Sequence, residues 1–339
     1  MASCRPSIAL VATSATSMFW GLLIAVVAAI FAHTRGGLLI NGFTDPKIII
    51  ITAGIVAAWY WRDGKVKIPN LYYAAIAYCV SIFPSLSSSK DYAISIFGYP
   101  GVYSGGALTT GLCASGVVLS NRLPDKQKET IRRVILSSGA LIAILLVAQK
   151  MGHDPLRFPL FGNKPVGIQG SGIDSGALMV TMLSASLNPI YMIGALASGT
   201  RGVLIGAVVS LFPVRMRTCA FVVATVAGIA WTSVGQKNSD CDRRMIWDRA
   251  ASNVSILGSG PATFHKIGGD SIPVTRTINA HNSILEAAAT RGFFGLLGLL
   301  ALLVAPQMAG LWTVCMFNPV SFEVVFIACV IVGITKQRR

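Results

Sequence analysis

Acidic residues are scarce in this 339-residue chain, with 13 Asp and Glu against 28 Lys and Arg, and charged residues of either sign make up only 12%. Soluble domains carry about 25% charged residues, so the composition argues against a one- or two-domain soluble enzyme. Metal-ligand spacing is missing as well. The seven cysteines (Cys4, Cys79, Cys113, Cys219, Cys241, Cys315, Cys329) form no C-x-x-C pair, so no zinc site and no disulfide is assigned. Five of them lie in apolar runs, where cysteine serves as a small packing residue. Heptads, internal repeats and low-complexity tracts are lacking, which excludes coiled coils and solenoids. No A-x-A cleavage site follows the first apolar run, which therefore reads as a retained span rather than a signal peptide.

What is present is apolar sequence: 53% hydrophobic residues and a mean hydropathy of +0.66. The expected fold is all-α, a polytopic transmembrane helical bundle forming a single integral membrane domain over residues 1–339. Twelve apolar segments are the predicted spans: 8–32, 47–60, 69–84, 104–120, 134–149, 173–187, 189–199, 201–213, 218–234, 282–304, 306–317 and 320–335. Several are short, so ten spans with a re-entrant pair is the alternative. Counting Lys and Arg in short connections places both termini in the cytoplasm, with 14 basic residues inside and 6 in short outer segments. The eight that remain lie in one long, partly helical outer loop, 236–280, or interrupt neighbouring apolar sequence at Arg201 and Arg291. The net charge of +15 is scattered between apolar runs and not gathered in a stripe, so nucleic acid is not an expected partner.

Three polar constellations stand out. In Ser198-Gly199-Thr200-Arg201-Gly202 an arginine sits between apolar runs, either facing an anion or snorkelling at a span end. In Arg243-Arg244-Met245-Ile246-Trp247-Asp248-Arg249 guanidinium groups suited to bidentate phosphate binding share a short amphipathic stretch, which reads equally as an interfacial helix. In Ala280-His281-Asn282-Ser283-Ile284-Leu285-Glu286 an imidazole opens a predicted helix on which Asn282 and Glu286 share a face. His281 reads as a proton acceptor or as a structural histidine, and Asn282 and Glu286 as ligand contacts or as caps.

Taken in order, the TRG turn, the R-R-M-I-W stretch, the Gly258-Ser259-Gly260 turn and HNSILEAAATRGFFGLLG resemble the O-antigen ligase and O-antigen polymerase superfamily of bacterial envelope glycosyltransferases. The likeness covers about residues 90–305, including Phe97-Gly98 through Gly105-Gly106 and Leu160-Phe161-Gly162-Asn163-Lys164-Pro165. Thr200 stands where the family usually has Ser, and the family's arginine between the first glycines has no counterpart. The resemblance implies a GT-C-like bundle in the bacterial inner membrane with a periplasmic active site. It also implies inverting transfer of a glycan from undecaprenyl diphosphate to a hydroxyl of lipid A-core or a similar acceptor, among membrane lipids. His281, Arg201 and Arg243 are the catalytic residues it implies, with Asn282, Arg244, Arg276 and Glu286 contacting substrate. It implies no cofactor and no metal, the arginines taking the place of a divalent ion. A polymerase or a protein O-oligosaccharyltransferase of the same superfamily is the alternative, and a lipid-linked glycan transporter a more remote one.

Overall fold

The computed structural model describes residues 8–32, 45–60, 79–98, 105–156, 165–169, 171–234, 238–267, 280–303, 306–318 and 320–335. Among them the regular structure is helical, with fifteen α-helices, two short 3₁₀ turns and no strand. The helices are α1 (Ile8–Phe31), α2 (Asp45–Tyr60), α3 (Ile82–Ser87), α4 (Tyr92–Phe97), α5 (Ala107–Arg122), α6 (Asp125–Lys150), α7 (Gly172–Ser186) and α8 (Pro189–Ala197). They continue with α9 (Arg201–Leu211), α10 (Val214–Val234), α11 (Asn238–Ser252), α12 (Phe264–Ile267), α13 (Ser283–Leu303), α14 (Ala309–Cys315) and α15 (Phe322–Ile334).

Local chemistry sets where the helices start and stop. Ser171 caps α7 by accepting from the Asp174 amide at 3.0 Å, and Leu187 ends it in the left-handed region at φ 51°. Asn188 then caps α8 through the Ile190 amide at 3.0 Å, with Pro189 at the first helical position, where its missing N–H leaves no bond unmade. α7 forms the centre, its residues from Ser175 to Leu183 all buried, with α6, α8, α9, α14 and α15 packed around it. α1 lies along α2, α5 along α15, and α9 along α14, where Gly206 and Gly310 let the two backbones approach closely.

The twelve-span transmembrane architecture does not hold. Among the described residues only α6 is both long and apolar enough to cross a bilayer. Length accounts for several of the others. α14 and α15 are 7 and 13 residues long and α7 is 15, so at about 1.5 Å per residue they fall short of a hydrocarbon core of about 30 Å. α13 reaches 21 residues but is broken at Gly292. The apolar sequence of α7, α14 and α15 is used in packing helix against helix. Large apolar side chains also face outward, among them Trp20, Val223, Val226 and Phe293. With a single candidate helix, the multi-pass inner-membrane placement, cytoplasmic termini and periplasmic site lose their basis. The division of basic residues by side fails with them: Lys47, expected outside, and Arg217, expected inside, are both buried.

Candidate functional site

Two of the three polar constellations are brought together by a small secondary core. Ile246 and Ala250 of α11, Phe264 and Ile267 of α12, and Ala280 and Ala289 at α13 pack into one cluster, with Trp247 and Leu285 against it. Two side-chain bonds fix the arrangement. Trp247 Nε1 donates to the Ala280 carbonyl at 3.0 Å, and Arg249 Nε donates to the Ile267 carbonyl at 3.1 Å. The R-R-M-I-W helix is therefore tied to the backbone immediately before His281.

The glycine turn has an equally definite place. α13 is interrupted at Gly292, whose φ of 67° and ψ of −161° belong to a region that only glycine occupies readily. The break releases carbonyls that a continuous helix would use, and the 258–260 turn supplies donors for them. The Ser259 amide reaches the Ala289 carbonyl at 3.2 Å and the Gly260 amide the Thr290 carbonyl at 2.9 Å, while the Phe293 amide returns to the Ile256 carbonyl at 3.0 Å. The far side of the turn is held by Ser88 Oγ on the Gly258 carbonyl at 2.8 Å and by the Lys90 amide on the Ser259 carbonyl at 3.0 Å.

Next to this junction lies a cavity of about 170 Å³. His281, Asn282, Glu286 and Arg291 line one wall, Cys79, Cys113 and Cys329 another, and apolar side chains such as Val320, Phe322 and Leu299 much of the rest. Trp312 Nε1 and Asn318 Nδ2 are buried donors on lining residues without a protein acceptor, the latter packed against Gly202.

His281 stands just before the helix, in the left-handed region at φ 50°, an uncommon conformation for a residue with a Cβ. Burial, assisted by the charge of Arg243, depresses its imidazole to a pKa of about 4, so it is neutral at physiological pH and able to accept a proton. Asn282 is the N-cap of α13, its Oδ1 accepting from the Ile284 and Leu285 amides at 3.0 and 3.1 Å. Asn282→Ala should therefore lower stability by about 1–2 kcal/mol, and Asn282→Asp by much less, as read from urea midpoints.

Glu286 accepts from the Ala280 amide at 3.4 Å and does not pair with Asn282, the two instead tying down backbone on either side of His281. Burial pushes the Glu286 carboxyl up to about 7, against the pull of the Ala280 amide and Arg291. The folded state thus holds this proton more tightly than the unfolded chain, and the associated stability, complete at low pH, is lost as pH rises through about 7. Glu286→Gln should accordingly raise the melting temperature relative to wild type by roughly 2–3 °C more near pH 8 than near pH 5.5. An equal shift at both values would show that Glu286 does not titrate in this range.

The other predicted site residues divide. Arg243 is half-buried on α11 and near enough for its charge to act on His281, and Arg244 beside it is half-buried too. Neither lines the cavity. Arg201 begins α9 and is exposed, away from the cavity lining; its neighbour Gly202 abuts the Asn318 amide. Arg276 lies outside the described residues. Sequence reasoning missed the role of Arg291, which is 3% exposed and donates through Nη2 to the Gly105 carbonyl at 2.5 Å and to Thr110 Oγ1 at 3.2 Å. Its position, five residues after Glu286 inside an apolar run, was the available signal. The thiols of Cys79 and Cys113 are pushed up, the first to about 11 by burial, the second by a hydrogen bond it donates to Cys329 together with burial, which makes them poor nucleophiles. Among the described residues no group of three His, Cys, Asp or Glu side chains is arranged to hold a metal ion.

No family model matches the chain, and no curated protein or solved structure was found similar to it.

Proposed function

We propose that this chain is a glycosyltransferase that moves a glycan from undecaprenyl diphosphate, or a similar lipid diphosphate, to a hydroxyl acceptor, with His281 as the base. The observation that carries the reading is the neutral imidazole of His281 at the cavity wall, with Arg243 beside it. The motif resemblance supplies the reaction class, and the bond from Trp247 to Ala280 supports it by joining two of the motifs that carry the likeness.

In this mechanism the acceptor oxygen attacks the anomeric carbon and forms the new glycosidic bond. The bond from that carbon to the diphosphate oxygen breaks, and the diphosphate leaves with its electron pair. The acceptor proton passes to the His281 imidazole. Arg243 has two effects of opposite use. Its charge resists protonation of His281; a bound diphosphate offsets that charge and raises the basicity of the imidazole when the base is needed. Arg244 is a further candidate for the diphosphate, and Asn282 acts by fixing the helix start that presents His281.

The test is transfer by the purified full chain, supplied with an undecaprenyl-diphosphate-linked repeat unit and lipid A-core, with products resolved by gel and mass spectrometry. A capped core is the expected product. Hydrolysis alone, or no turnover with any hydroxyl acceptor offered, would overturn the reading.

A further inference from the structure

Away from the cavity wall that carries His281, two buried ionisable side chains and one half-buried one are gathered where α2, α7 and α15 meet. Lys47, Asp174 and Glu323 come from these three helices, and Lys47 and Glu323 are both 0% exposed. Lys47 Nζ donates to Gln169 Oε1 and, at 3.4 Å, to Glu323 Oε1. Gln169 in turn donates to the Ala29 and Ile30 carbonyls of α1, so that helix contributes only backbone acceptors. The remaining titratable neighbour is the Cys315 thiol of α14, pushed up to about 12 by burial and by Asp174.

Two carboxyl groups and one ammonium cannot all be ionised here without leaving a net negative charge in the interior, where an uncompensated ion is far more costly than an unpaired neutral group. The hydrogen bonds show which carboxyl is built to be the anion. Asp174 has a donor on each oxygen, the Ser321 amide on Oδ1 at 2.7 Å and Ser171 Oγ on Oδ2 at 2.8 Å. Glu323 has the opposite surroundings. Oε1 shares Lys47 with Gln169, and Oε2 is buried with no partner. An unpaired carboxylate oxygen carries the full desolvation penalty of a charge, whereas an unpaired acid hydroxyl carries only that of a neutral polar group.

We propose that Glu323 is a proton-binding site, retaining its proton at neutral pH so that Asp174 is the one anion set against the Lys47 ammonium. Burial and the charge of Asp174 favour the acid form of Glu323, against the opposing influence of Lys47 and of its own amide. The Asp174 carboxylate has a structural consequence for the cavity. By accepting from the Ser321 amide, Asp174 fixes the segment from which Asn318, Val320 and Phe322 line it, and so acts as a positioning residue for that wall.

Infrared spectroscopy of the purified full-length protein tests this directly, because a protonated carboxylic acid has a carbonyl stretch separate from that of a carboxylate. The spectra should be recorded at neutral pH in a Glu286→Gln background, since Glu286 itself titrates near 7. The acid band is expected in that background, should vanish when Glu323→Gln is added, and should weaken when Asp174→Asn is added instead, since the charge that opposes ionisation of Glu323 is then gone. Absence of the band from the background protein, or its survival in the Glu323→Gln protein, overturns the proposal, and either result can be read without the Asp174 variant. The thermal transition supplies a second readout. Glu323→Gln, which reproduces a neutral side chain of the same shape, should leave the neutral-pH melting temperature nearly unchanged, and a large fall would show that an anion had been lost.

Discussion

His281→Asn is expected to reduce glycan transfer by about 10²–10⁴-fold in kcat, the range that a positioned general base contributes, while the protein melts close to wild type. Asparagine is the informative replacement because position 281 has a φ of 50°, a conformation that Asn adopts more readily than other residues with a Cβ. His281→Ala would add backbone strain to the loss of the imidazole and confuse the two effects. The pH profile gives an independent check. With the imidazole at about 4 in the free protein, the acid limb of kcat/KM should fall near that pH and well below the 6.5 of an unperturbed histidine. A His281→Asn protein that transfers glycan at the wild-type rate would remove His281 from the chemistry and leave it as a strained turn residue.

Gly292→Ala is expected to be the most destabilising single methyl addition around the site, lowering the free energy of unfolding by about 3 kcal/mol or more. A Cβ there would collide with the Ile256 carbonyl and come within 2.6 Å of the Gly258 amide, both of them backbone atoms with no rotamer to change. The required φ and ψ are also open to glycine alone. Gly258→Ala should behave similarly, since its Cβ would meet the Thr290 carbonyl and the Gly292 amide from the other side of the same junction. Gly111→Ala is the control. It lies inside α5 with nothing within 4 Å of the added atom, and should raise stability by about 0.5–1 kcal/mol. Denaturant unfolding of the three variants measures all of these. A Gly292→Ala protein as stable as the control would mean that the helix break and the glycine turn are not locked together.

Much of the helical layout was legible along the chain. Apolar segments bounded by Gly, Pro and polar residues coincide with α7, α8 and α9 to within a few residues, because caps such as Ser171 and Asn188-Pro189 act locally. What those helices pack against was not legible. An apolar run of 13 or 15 residues has the same composition whether it faces lipid or other helices, and the length deficits of α7, α14 and α15 are what separate the two. For the site, His281, Asn282 and Glu286 were visible as a cluster because they are close in sequence. The contribution of Arg291 was not, since its partners Gly105 and Thr110 lie more than 180 positions away.

The sequence by itself determined the helical character, the excess of basic over acidic residues and the motif order that suggests glycan transfer. Tertiary structure decided what the rare charges do. Lys47, counted along the chain as an outer basic residue, lies between Gln169 and Glu323, and Arg217, counted as an inner one, donates to the Phe212 and Ser184 carbonyls at 2.9 and 3.1 Å. A charge count along the chain treats each residue as facing solvent on one side or the other. Burial removes that choice, because a charge taken out of water requires acceptors and counter-charges supplied by segments remote in sequence.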